Sequence, residues 1–231
     1  MSQINTQRST VLTIVNDVLR RMNYPTVASL SANKTTLRAL GFLNDVVTHI
    51  SDYGDWPQEF SEVVVTAPAC ALTIEINASA PIKRIREIHV KGRVAPLLPV
   101  EIEDIRRLQR TSAHGTPTQF ALVDASGINP RIRIHQRVAT NTAKEFNVAC
   151  YTAPLVYSSS DASKVPPWSS RLMIEGLWAS MLLDENGMVP TPQYQAAFTV
   201  FTNRLSEEYR RWSTDTGQDI YLVPARGRRG Q

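Results

Sequence analysis

The chain has 231 residues, 42% of them hydrophobic and 20% charged, a globular balance that excludes disorder of the whole chain and suits one large domain or two small ones. Its formal net charge of +4 permits contact with a polyanion, yet falls short of the charge density of a dedicated nucleic-acid binder. The only two cysteines, Cys70 and Cys150, are too far apart in sequence to announce a disulfide framework or a zinc site and read as buried thiols in a reducing compartment, while MSQINTQRST lacks the pattern of a secretory signal.

In STVLTIVNDVLRRMNYP, Val11, Val15, Val18 and Met22 recur at steps of three and four, and Leu12, Ile14 and Leu19 widen the stripe. This predicts a helix with Ser9 as its cap, ended by Tyr24-Pro25. A second helix is predicted over TTLRALGFLNDVVTHISDYG, with Leu40, Leu43, Val47 and Ile50 on one face and Gly54 and Trp56-Pro57 closing it.

From about residue 58 to 155 the apolar period drops to two. LTIEIN and FNVACY alternate as half-buried strands, and QFALVD, ASG and PRIRIHQRV make a hairpin. RVAPLLPV, with Pro96 and Pro99, suits an edge. EIEDIRRLQR reads as a short helix, acidic first and basic last.

After the polar connector SSSDASKVPP, the run VPPWSSRLMIEGLWASMLL is the most apolar of the chain, and its Arg171 and Glu175 argue against a membrane span. It is predicted as a helix started by Pro166 and Pro167 and stopped at Asn186-Gly187. A last helix, capped by Thr191 with Pro192 first, carries Tyr194, Phe198, Phe201, Leu205, Tyr209 and Trp212 on one face, a core stripe before a ligand pocket.

The expected fold is α+β: a helical bundle of about four main helices (1–57 and 156–216), a β-rich insert (58–155) between the second and third helices, and an extended C-terminal tail (217–231).

No HExxH, GxGxxG, GxxxxGK[ST] or GxSxG motif occurs, and no catalytic residue, cofactor site or metal site is assigned. Three features remain as contact candidates. Arg131, Arg133 and Arg137 share a strand face with His135, either a row for phosphates or a solvated, edge-protecting face. Gly176, Ala179 and Ser180 form a small-residue strip on a helix apolar over most of its circumference, packed either by a sister subunit or as a buried central helix. Ile220, Tyr221, Leu222 and Val223, followed by Arg226, Arg228 and Arg229, make a terminal segment that would order against a partner.

The helical pair ending in NDVVTHISDYGDWPQEF, the β-rich insert, the VPPWSSRLMIEGLWASMLL helix, the closing helix with RLSEEYRRW and the loose tail together resemble the head-to-tail adaptors of tailed bacteriophages, the tail tubular protein A group of short-tailed phages. The resemblance implies a non-catalytic virion protein made in the host cytoplasm and placed in the neck between capsid and tail, as a ring commonly of twelve copies. It implies the portal protein, tail nozzle or tail fibre proteins, sister subunits and passing double-stranded DNA as partners, with no membrane, and a part in genome ejection. The segment from Ile220 to Arg229 would then order along the portal, and the arginine face would line the channel or meet an acidic neighbour. The alternative expectation is a sequence-independent DNA-binding module using the same arginines.

Overall fold

A computed structural model describes residues 8–109, 115–124, 129–136, 138 and 143–215. These form five α-helices, α1 (Val11–Arg21), α2 (Lys34–Tyr53), α3 (Ile102–Gln109), α4 (Ser170–Glu185) and α5 (Pro192–Asp215), and seven strands, β1 (Phe60–Ala67), β2 (Thr73–Glu75), β3 (Ile82–Val90), β4 (Leu98–Pro99), β5 (Gln119–Asp124), β6 (Arg131–Ile134) and β7 (Lys144–Thr152).

This inventory corrects the expected fold of about four helices with a β-rich insert between the second and third. The chain is mixed α+β, with five helices and two sheets among the described residues, and the third of these helices, α3, lies among the strands. The physical reason is that α3 is a layer in its own right, because it buries Ile105 completely while packing on β5 and β6. The expected C-terminal tail, 217–231, lies outside the described residues.

The chain divides into two units, one drawn from Met1–Gln58 and Pro154–Gly217, the other centred on Glu59–Ala153. In the first, α4 packs against α1, α2 and α5. Leu172, Met173 and Leu177 on α4 are all 0% exposed, each burial stabilising the fold by about 1.5–3 kcal/mol. Glu175, the one buried acid of this helix, is paired with Arg21 of α1 at 3.2 Å, and the Arg21 guanidinium lies 5.5 Å from the centroid of Trp178. No helix among the described residues is long and apolar enough to cross a membrane.

Two helix starts differ from those expected. Thr10, not Ser9, caps α1, accepting from the Thr13 amide at 3.3 Å, while the Ser9 amide donates to the Ser170 hydroxyl. In α4, Pro166 and Pro167 lie outside the helix and Ser169 caps it, accepting from the Leu172 amide at 3.2 Å. A side-chain oxygen at the cap satisfies one of the orphan amides of the first turn, which proline's preset φ does not. The end of α2 is closed by Trp56, wholly buried, whose indole N–H donates to the Ile50 carbonyl at 2.7 Å. Its ring meets Tyr209 and Trp168 edge-on, at 5.3 and 6.5 Å between centroids.

In the second unit, sheet β1-β7-β3 and sheet β2-β6-β5-β4 contribute to one core. Phe146, Val148 and Cys150 of β7 meet Ile132 and Ile134 of β6 in that core, all at 0–1% exposure. Burial pushes the Cys150 thiol pKa up, and its S–H points to the Ser61 carbonyl at 3.6 Å. Cys70 is instead exposed, at a φ of +63° beside the Pro68 turn, so the expectation of two buried thiols is corrected. Glu59 is buried and its carboxylate lies 3.2 Å from the Lys83 ammonium.

Candidate functional site

The three candidate surfaces fare differently. Arg137, like Ile220, Tyr221, Leu222, Val223, Arg226, Arg228 and Arg229, lies outside the described residues. The rest of the arginine row stands on β6, where alternation sends Ile132 and Ile134 into the core and Arg131 and Arg133 to the opposite face.

That face is not open, because α3 packs against β5 and β6. Gln109, the last residue of α3, accepts from Arg133 Nε and Nη2 at 3.1 and 2.7 Å, and its own amide donates to the Ile134 carbonyl at 2.8 Å. Arg131 Nε lies 3.4 Å from a Glu75 carboxylate oxygen, with 57% of the arginine side chain exposed. His135 is buried and its Nδ1 accepts from the Gln119 amide at 3.2 Å, which requires that nitrogen to carry no proton. Of the row, one described guanidinium reaches solvent freely and already has an acidic neighbour, so the arrangement ties β6 to α3 and β2 as much as it offers cations to a polyanion.

The small-residue strip was expected to be packed either by a sister subunit or as a buried central helix, and at two of its three positions the chain's own helices pack against it. A Cβ on Gly176 would stand 2.6 Å from Val46 Cγ1 and 2.8 Å from Phe201 Cε2. The missing side chain is thus what lets α2 and α5 close on α4. Ala179 is 2% exposed and clusters with Leu182 and with Ala197 of α5. The chain's own helices occupy the strip, because a helix apolar over most of its circumference is covered first by the neighbours that share its core.

Ser180, half-buried, donates to the Gly176 carbonyl at 3.1 Å and opens onto a cleft of about 280 Å³. Phe42, Asp45 and His49 of α2 form one wall, and Tyr194 and Phe198 of α5 the other, with Met188 beside them. Tyr194 and Phe198 stack at 5.7 Å between centroids, and His49 lies 5.6 Å from Phe201. The aromatic stripe of α5 therefore divides: Phe201 and Leu205 are core, Tyr194, Tyr209 and Trp212 are half-buried, and Phe198 is 38% exposed at the cleft. The cleft offers an apolar surface with one carboxylate and one imidazole at its rim, suited to contact with a side chain.

At the other end of α5, Glu208 receives a hydrogen bond from the Ser169 hydroxyl, the cap of α4. Burial raises the Glu208 pKa above the ordinary value, against the lowering influence of Ser169 and of the Arg204 and Arg211 charges. Tyr24 donates to Glu185 at 2.7 Å, and that bond first and the carboxylate's charge second raise the tyrosine pKa. Among the described residues no group of three or more His, Cys, Asp or Glu side chains is placed to hold a metal ion.

A further recess of about 290 Å³ runs between β1 and β2, lined by Val64, Val65 and Thr66 on one side and Thr73, Ile74 and Glu75 on the other. Sequence reasoning missed it because Val63, Val64 and Val65 in succession carry no alternation, so β1 itself had no period-two signal. No protein-family model matches the chain, and no curated protein matches it.

Proposed function

We propose that the chain is a structural virion protein, a ring-forming head-to-tail adaptor that docks on a portal, connects it to the tail and forms part of the channel through which DNA passes. The observation that supports this reading is the order of the two units: the helical one is assembled from both ends of the chain, and the second leaves it after α2 and returns before α4. Such a build lets each unit meet a different neighbour from a single polypeptide. It needs no catalytic step, and it lets the portal, the tail nozzle or fibre proteins and sister subunits be met by separate surfaces. The neck of the particle is its proposed place.

The muted arginine face suits a passage that must let DNA slide, since each phosphate firmly neutralised would add to the hold on the duplex. Mixing the purified chain with a candidate portal protein should give portal particles with an added ring in negative stain. A chain truncated after Gly217 should fail to dock. Truncated protein incorporated into tailed particles as fully as the intact chain would overturn the assignment of the tail to the portal, and no added ring with the intact chain would overturn the adaptor reading.

A further inference from the structure

The two sheets of the second unit are joined on one side and open on the other. On the joined side, the Leu97 amide donates to the Ile88 carbonyl of β3 at 2.7 Å, and at the next residue the same segment becomes β4, parallel to β5. On the opposite side, between β1 and β2, no such segment lies among the described residues, and a recess of about 290 Å³ runs there.

Main-chain groups of both walls point into that recess. Along β2, the Ile134 amide donates to the Leu72 carbonyl and the Ile76 amide to the Pro130 carbonyl, so the even-numbered residues face β6. Alternation then turns the N–H and C=O of Thr73 and Glu75 away from β6. Along β7, the Lys91 amide donates to the Glu145 carbonyl, which sets the odd-numbered residues of β7 toward β3 and Phe146, Val148 and Cys150 toward β1. Their partners are Val65, Val63 and Ser61. Glu62, Val64 and Thr66 therefore direct their main-chain groups outward.

The other edges are protected in the ways natural sheets use. β4 has two residues and includes Pro99, and β3 carries two register shifts and is covered by Leu97. β1 pairs in unbroken register over eight residues and holds no proline, lysine, arginine or bulge. Val64 on this edge is 64% exposed.

We propose that the β1/β2 seam is a strand-acceptor site, and that its occupant is the C-terminal segment Ile220–Val223 of this chain, entering as an extra strand that joins the two sheets. The seam has a wall on each side, so a lone segment fits where the edge of a second folded sheet, backed by its own β7, would meet β2. Chain outside the described residues supplies such a segment: Ile-Tyr-Leu-Val is apolar, aromatic and β-branched, and Pro224 ends it. The arginines that follow, Arg226, Arg228 and Arg229, are opposite in charge to Glu75, which lines the recess beside Arg131, and to Glu62 of β1.

The inference does not rest on the adaptor reading, because it concerns the isolated chain. Amide hydrogen exchange tests it. In the full chain without any partner, the amides of Val64, Thr66, Thr73 and Glu75 should exchange at least tenfold more slowly than in a chain truncated after Gly217, with the amides of Ile132 and Phe146 reporting that both retain their core. Leu222→Pro in the full chain should bring the seam to the exchange rate of the truncation, and a synthetic peptide of residues 218–231 added to the truncation should slow it again. Loss of protection on dilution assigns the strand to a second copy, and protection independent of concentration assigns it to the same chain. Equal exchange in full and truncated chains, or protection that survives Leu222→Pro, overturns the proposal. Portal docking is read in a separate mixture, so either reading can fail alone.

Discussion

The helical unit and the sheet unit solve the same problem with opposite consequences. In the helical unit each backbone amide past the first turn is satisfied within its own helix, so side chains alone decide what covers α4, and Val46 and Phe201 close on Gly176 until no room is left. In the sheet unit every strand depends on a neighbour for its main-chain bonds, and the four-stranded and three-stranded sheets end on edges where that supply stops. Packing can therefore be finished within a helical unit while hydrogen bonding in a small sheet unit is not, and contact with further chain is more expected of the second.

The sharpest way to break this comparison is to empty one core at a time. Trp56→Ala and Phe146→Ala each remove a side chain that is 0% exposed, and each should cost about 3–5 kcal/mol. Calorimetry of Trp56→Ala should show the helical unit melting earlier with the sheet unit retained, and Phe146→Ala the reverse. One common melting transition shifted equally by both would show that the units do not stand apart energetically.

A smaller effect separates tight from open helix surface with one chemical change. Gly41 on α2 has no atom within 4 Å of an added Cβ, whereas at Gly176 such an atom meets two buried side chains. Gly41→Ala should raise stability by about 0.5–1 kcal/mol through helix propensity. Gly176→Ala gains the same propensity and loses about 1–3 kcal/mol to overpacking, so it should lower the denaturant midpoint. A stabilising Gly176→Ala would mean that the strip on α4 has more room than its neighbours allow.

The smallest effect concerns charge within the helical unit. Because the folded pKa of Glu208 is raised above its ordinary 4.5, its contribution to stability is fully present below that value and is lost as pH rises through the folded value. Glu208→Gln keeps an acceptor for the Ser169 hydroxyl and removes the titration. Denaturation at pH 4 and at pH 7 should show a smaller fall in stability for the variant than for the parent. An equal fall in both would assign the pH dependence to another group.

Much of the helical unit was legible because three-and-four spacing records which side is covered, and Leu40, Leu43, Val47 and Ile50 are all buried as that spacing predicts. Helix starts were less so, since proline and serine both stand before α4 and only the hydroxyl that meets the Leu172 amide marks the boundary. The arginine face was legible as a strand face but not as a covered one, because alternation gives no hint that Gln109 of α3 will reach across it. The β1/β2 recess was illegible for a related reason: an open edge is defined by which strands fail to meet, and a local pattern carries no pairing information.

The placement of α4 also has a consequence in time. α1 and α2 have little contact with each other and are joined chiefly through α4, yet a ribosome that has completed α2 must still add the whole sheet unit before α4 emerges. At about 5–20 residues per second that wait is on the order of ten seconds. During synthesis the first two helices thus hold their apolar faces uncovered while the middle of the chain has time to fold, and the helical unit, first to begin, is the last to be completed.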